Sequence, residues 1–113
     1  MANECLAYKR KSGLNIVGLG FNCVGPEVVL EGLRSIKGHQ VCNELKEESI
    51  GLAAYSNILD MSPYTATGGY QTDESILEIN LKRRSESVDF VRDFVQAGAT
   101  FVGGCCRSNP NDF

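Results

Sequence analysis

Apolar positions along the chain fall into short groups separated by glycine, proline and polar residues, and the spacing within each group predicts its shape. Residues 4–10 read as the end of a helix, with Lys11, Ser12 and Gly13 as its stop. Residues 14–21 form an apolar run of strand length, nearly continuous rather than alternating, as expected for a parallel strand buried on both faces. Gly25 and Pro26 open a helix, since proline suits the first helical position. Val29, Leu33 and Ile36 then fall at i, i+4 and i+7 on one face, and Gly38 closes it. The polar stretch 39–49 carries no clear period. Residues 50–55 read as a second strand, and 56–73, rich in Ser, Thr, Gly, Asn and Pro, as a long surface loop. The last helix has Val88, Val91 and Val95 with Phe90, Phe94 and Ala97 alongside, a cap expected from Ser85 or Ser87, and Gly98 as its stop. Residues 99–102 are the third strand and run directly into Gly103, Gly104, Cys105 and Cys106.

The order strand, helix, strand, helix, strand implies a parallel sheet or part of a barrel. No internal repeat or domain boundary breaks the 113 residues, so one domain region over 1–113 is expected. Three strands cannot close a barrel, and a whole (β/α)₈ barrel takes about 250 residues. A three-stranded parallel sheet with few helices leaves apolar edges open. The chain therefore reads as a portion of a larger domain, or as a complete small one whose edges a partner chain covers.

Composition changes this picture little. The chain is 42% hydrophobic and 22% charged, with a net charge of −3, which suits a globular protein. No basic footprint for nucleic acid or an anionic membrane is present. Lys82, Arg83 and Arg84 are followed by Glu86 and Asp89 and read as a solvated face. No apolar run reaches the ~20 residues of a membrane helix, and the N-terminus has no secretory pattern. A cytoplasmic, reducing setting is expected, in which cysteines serve more often as metal ligands or nucleophiles than as disulfide partners. The cysteine count of five, an odd number, agrees.

The candidate chemistry lies in those cysteines. Cys23 follows the end of the first strand, and Cys105 and Cys106 follow the end of the third. In parallel α/β architectures the C-terminal strand ends share one face, where sites are built, so residues far apart in sequence can meet there. Three thiolates with an open fourth position form the ligand count of a catalytic zinc, and sulfur favours zinc over hard cations. Other readings remain open on the residues alone: small buried thiols, a vicinal disulfide, or a redox pair at Cys105 and Cys106. His39 with Cys42 lacks further ligands. Gly18 and Gly20 do not form a dinucleotide fingerprint, because Cys23 stands where the third glycine belongs. Glu27 and Glu31 read as a solvated helix face, and Cys5 and Cys42 as spare thiols.

Gly20-Phe21-Asn22-Cys23 resembles the Gly-x-Asn-Cys segment of the homocysteine S-methyltransferase family. The run from Gly103 to Pro110 resembles that family's Gly-Gly-Cys-Cys-Arg-x-x-Pro segment, and Tyr55-Ser56-Asn57 stands where many members have Tyr-Pro-Asn. The resemblance implies an α/β fold, the C-terminal part (about strands six to eight) of a (β/α)₈ barrel. It implies zinc held by Cys23, Cys105 and Cys106, with Asn22 and Asn57 lining the substrate pocket. The activity implied is methyl transfer to the thiol of homocysteine, giving methionine, as part of a full-length enzyme; the fragment alone is expected to be inactive. Arg107 resembles the branch that uses S-methylmethionine or S-adenosylmethionine as donor, with betaine the alternative. Strands one to five, the family's early Asp-Gly segment and the glutamate that holds the homocysteine amino group have no counterpart here. The rival expectations are a truncated, non-catalytic zinc- or thiol-binding or interaction fragment, and a redox protein using Cys105 and Cys106.

Overall fold

A computed structural model of the chain describes residues 1–57, 78, 81–82, 84–106, 108 and 110. Along these, the elements are α1 (Ala2–Ser12), β1 (Gly18–Asn22), α2 (Pro26–Lys37), α3 (Val41–Glu47), β2 (Gly51–Ser56), α4 (Ser87–Gln96) and β3 (Ala99–Gly104). The strands form a parallel sheet in the order β1-β2-β3. No helix among the described residues is long and apolar enough to cross a membrane.

The helices end where the sequence provides stops. Gly13 takes the left-handed conformation (φ 68°) after α1, and its N–H bonds the Lys9 carbonyl, an arrangement that glycine adopts without steric cost. Pro26 opens α2, whose buried residues are Pro26, Val29, Leu30 and Leu33. From α3 come Val41 and Leu45, and from α4 Phe94. These meet Leu52, Ala54 and Ala99 on one face of the sheet, and Leu6 of α1 joins the same core, with α1 packed on α3. Leu33 and Phe94 are fully buried. Each such side chain contributes roughly 1.5–3 kcal/mol of hydrophobic stabilisation.

Among the described residues, no element covers the other face of the sheet. Exposure alternates along β1 and β2, so Gly18, Gly20 and Asn22, then Tyr55, turn away from the helices. Tyr55 is 41% exposed and Phe101 43%. Both rings lie over glycines: a Cβ on Gly103 would fall 2.5 Å from Tyr55 Cε1, and one on Gly51 would fall 2.6 Å from Phe101 Cε2.

The structure departs from the sequence pattern in several places. Strand β1 begins at Gly18, not Leu14, and Leu14 and Val17 are exposed. A strand needs a neighbour, and β2 starts only at Gly51, paired with Gly18. The expected burial of β1 on both faces is likewise absent, because helices cover one face alone. The polar stretch 39–49 contains α3. Neither Ser85 nor Ser87 caps α4: each hydroxyl donates to a carbonyl three residues back, Lys82 and Arg84 respectively. Backbone bonds from Glu86 to Lys82, and from Asp89 and Phe90 to Glu86, carry the turn into α4. The inward face of α4 is Ser87, Phe90, Val91 and Phe94, whereas Val88 and Val95 are exposed. The loop expected beyond Asn57, with Met61, Tyr64 and Tyr70, lies outside the described residues, as does Arg107.

Candidate metal centre

Parallel pairing aligns the C-terminal ends of all three strands. Asn22, Tyr55 and Gly103 form one row across the sheet. The residues just beyond that row carry the chemistry. Cys23 leaves β1 with φ 61°, a left-handed conformation that costs a residue with a Cβ about 1–3 kcal/mol. Two backbone bonds hold it: Cys23 N–H to the Tyr55 carbonyl (2.9 Å) and Asn57 N–H to the Val24 carbonyl (2.9 Å). At the other edge, Cys105 N–H bonds the Ser56 carbonyl (3.1 Å), and Ser108 N–H closes a turn on the Cys105 carbonyl (3.2 Å). The end of β2 thus fixes the backbone of both cysteine segments.

The three thiols converge. The Sγ atoms of Cys23, Cys105 and Cys106 lie within 4.8 Å of one another, with Cys23 Sγ to Cys106 Sγ at 3.4 Å. Tetrahedral zinc with bonds of about 2.3 Å to sulfur requires sulfur–sulfur separations of about 3.8 Å, so small side-chain adjustments bring this set into register. All five cysteines are free. Cys23 and Cys106 are exposed and Cys105 is half-buried, which leaves the cluster open on its outer side. Among the described residues, no other group of three His, Cys, Asp or Glu side chains gathers in this way. The donor set is all sulfur, and it fits a soft or borderline divalent ion.

The thiols share protons unequally. Hydrogen bonds from Cys106, then Cys105, then the Asn57 side chain hold the Cys23 thiol below its ordinary range. Cys106 is pushed up to about 11, first by its hydrogen bonds to Cys23 and Cys105 and then by their negative charge. Cys23 therefore ionises before Cys106, which serves it as a proton donor. Three thiols this close cannot all become thiolates without a cation among them.

Two buried polar atoms beside the cluster have no hydrogen-bond partner: Ser56 Oγ and Asn57 Oδ1. The Asn57 residue is 5% exposed and Ser56 is fully buried. An orphaned buried acceptor costs about 1–3 kcal/mol, and such atoms concentrate where a site awaits a ligand. Asn22 is exposed and lines an open groove on the bare face. His39 and Cys42 gather no third ligand among the described residues; His39 Nδ1 accepts the Val41 N–H at 3.3 Å and helps start α3. The sequence pattern pointed to the cysteines and Asn57 but passed over Ser56 and the Tyr55 ring. The pairing of Tyr55 with Gly103 was the available signal, and it needs the strand register to be seen.

Comparison with known proteins identifies the family of the chain. The profile of the homocysteine S-methyltransferase family matches residues 2–113. A betaine-homocysteine S-methyltransferase of Drosophila melanogaster is 30% identical over 115 aligned residues, covering 95% of this chain and 28% of the fly protein. Homocysteine S-methyltransferase 2 of Saccharomyces cerevisiae is 29% identical over 98 residues, covering 87% of this chain and 26% of its own length. An uncharacterized protein of the same yeast is also 29% identical over 98 residues, but there the match covers 79% of the relative. The chain thus spans about a quarter of the two named methyltransferases. No solved structure matches it.

Proposed function

Because the chain belongs to the homocysteine S-methyltransferase family, we propose that Cys23, Cys105 and Cys106 hold a zinc ion in the thiol-activating part of an enzyme that methylates homocysteine to methionine. The observation that carries this reading is the meeting of three sulfurs from opposite edges of the sheet within 4.8 Å. Zinc bound there supplies a Lewis acid that lowers the pKa of an added thiol and holds it as thiolate at neutral pH.

The chain's own residues do the rest. The β2 end orients both cysteine segments through the Tyr55 and Ser56 carbonyls. Asn57 donates to Cys23 through its side-chain amide and lines the pocket beside the cysteines. Asn22 borders the same entrance. The sheet corresponds to strands six to eight of a (β/α)₈ barrel, and its bare face to the barrel interior. That assignment accounts for the exposed Tyr55 and Phe101 and for the two open sheet edges. The proposed methyl donor is a sulfonium, S-methylmethionine or S-adenosylmethionine, on the strength of Arg107 after the cysteine pair; betaine is the competing donor.

Metal analysis and activity test the two halves. The chain is expected to bind one zinc. Cys105→Ser in the full-length enzyme is expected to abolish both zinc binding and methyl transfer. Full activity in zinc-free enzyme would refute the reading. The second reading is a truncated, non-catalytic thiol- or metal-binding chain. Zinc binding by the 113-residue chain with no methyl transfer, even when the missing part of the family domain is supplied, is what that reading expects.

A further inference from the structure

The bare face of the sheet holds a groove of about 380 Å³ bordered by Gly20, Asn22, Tyr55 and Phe101. We propose that Tyr55 is a positioning residue for the thiol substrate: its ring, lying across Gly103, is the wall against which the substrate's carbon chain rests. This inference depends on the thiol-binding reading above.

Three observations converge on Tyr55. The first is its place in the strand. Tyr55 stands in the last row of the sheet, with Asn22 on one side and Gly103 on the other, and its carbonyl holds the Cys23 N–H. The second is its orientation. The ring lies where a Gly103 side chain would be, since a Cβ there would come within 2.5 Å of Cε1. Glycine at 103 therefore lets the ring lie down on β3 in place of standing up into the groove. The third is its exposure: 41% of Tyr55 is open although its neighbours in the row offer no apolar surface, one being an amide and the other having no side chain.

Length decides what the ring can touch. Strand rise is about 3.3 Å per residue, so the row of Tyr55 lies one residue below Cys23 and two below Cys105. The next row on the same face, with Phe101, lies about 7 Å further down. A thiol seated at the cysteine cluster carries its first methylenes past the level of Tyr55 and does not reach Phe101. Homocysteine has two methylenes between sulfur and the α-carbon, and both fall against the ring. A thiol without a chain gains nothing there.

The test uses the 113-residue chain loaded with cobalt(II), whose thiolate charge-transfer band reports thiol binding without turnover. Homocysteine and methanethiol are titrated separately, and the ratio of their affinities is read. Tyr55→Ala is expected to lower the homocysteine-to-methanethiol ratio about fivefold to tenfold, as expected for two methylenes losing partial burial. Tyr55→Phe is expected to keep the ratio. Gly103→Ala, which leaves the tyrosine in place but pushes the ring off β3, is expected to lower it as Tyr55→Ala does. A ratio unchanged by Tyr55→Ala would overturn the role given to Tyr55 while leaving the metal centre standing. Failure of both thiols to perturb the cobalt band would remove the thiol-binding reading, and this inference with it.

Discussion

The helix-covered face of the sheet and the rim at its C-terminal ends use the same strands under opposite rules. On the covered face, Leu52, Ala54 and Ala99 meet Leu33 and Phe94 with little exposed, and the buried Ser87 hydroxyl has its partner in the Arg84 carbonyl. One residue beyond the strand ends, Cys23 takes a left-handed backbone, two thiols stay exposed, and Ser56 and Asn57 keep buried polar atoms without partners. Packing is optimised in the first region and set aside in the second. Local conflicts of this kind concentrate at functional sites, where a ligand supplies what the chain lacks.

Substitutions can break this contrast. The largest effect on stability is expected at Phe94→Ala, which empties a fully buried aromatic position and should cost about 3–5 kcal/mol, read by denaturant unfolding. If the same change left the unfolding midpoint in place, the covered face would not be the core. Gly32→Ala is expected to follow at about 1–3 kcal/mol, because a Cβ there would fall 2.2 Å from Phe21 Cζ. At the rim the order reverses. Ser56→Ala removes an unpartnered buried hydroxyl and should leave stability unchanged or raise it by up to about 1 kcal/mol. A loss of more than that would mean Ser56 is a packing residue like those beneath it.

Protonation sharpens the contrast further. Cys106, pushed up to about 11 by its neighbours, is a thiol at neutral pH in the metal-free chain, whereas Cys23 is shifted toward thiolate. Zinc uptake near pH 7 must therefore displace at least the Cys106 proton. Apparent affinity should fall as pH falls, by about tenfold per unit for each proton displaced. Calorimetry in buffers of different ionisation enthalpy counts those protons. In metal-free protein, iodoacetamide should label Cys23 before Cys106, read by peptide mass spectrometry; the reverse order would contradict the hydrogen-bond assignment.

Much of the rim was legible in the sequence, because strand ends in a parallel sheet share a face and Cys23, Cys105 and Cys106 sit just past two of them. The glycine and proline signals placed α2 and β3 for the same reason: they mark backbone constraints local to a few residues. What the sequence hid was set by tertiary pairing. Leu14 to Val17 look like strand, but no neighbour extends that far. Helix α3 has only Val41 and Leu45 as buried apolar anchors within seven residues, too short a run for a period to show. Val88 and Val95 share an apolar pattern with Phe94, yet the helix buries the row containing the ring and leaves those valines in solvent. The Tyr55 ring depends on which residue of β3 stands opposite it, a matter of register shifted by the irregularity between Leu52 and Ala53.

The most direct test of the metal centre is elemental analysis of the purified chain after equilibration with zinc and removal of excess metal. One zinc per chain, retained in the wild type and lost in Cys105→Ser and Cys106→Ser, is the result predicted. A wild-type chain that remains folded and retains no stoichiometric zinc, or cysteine variants that hold it as well as the wild type, would contradict the account.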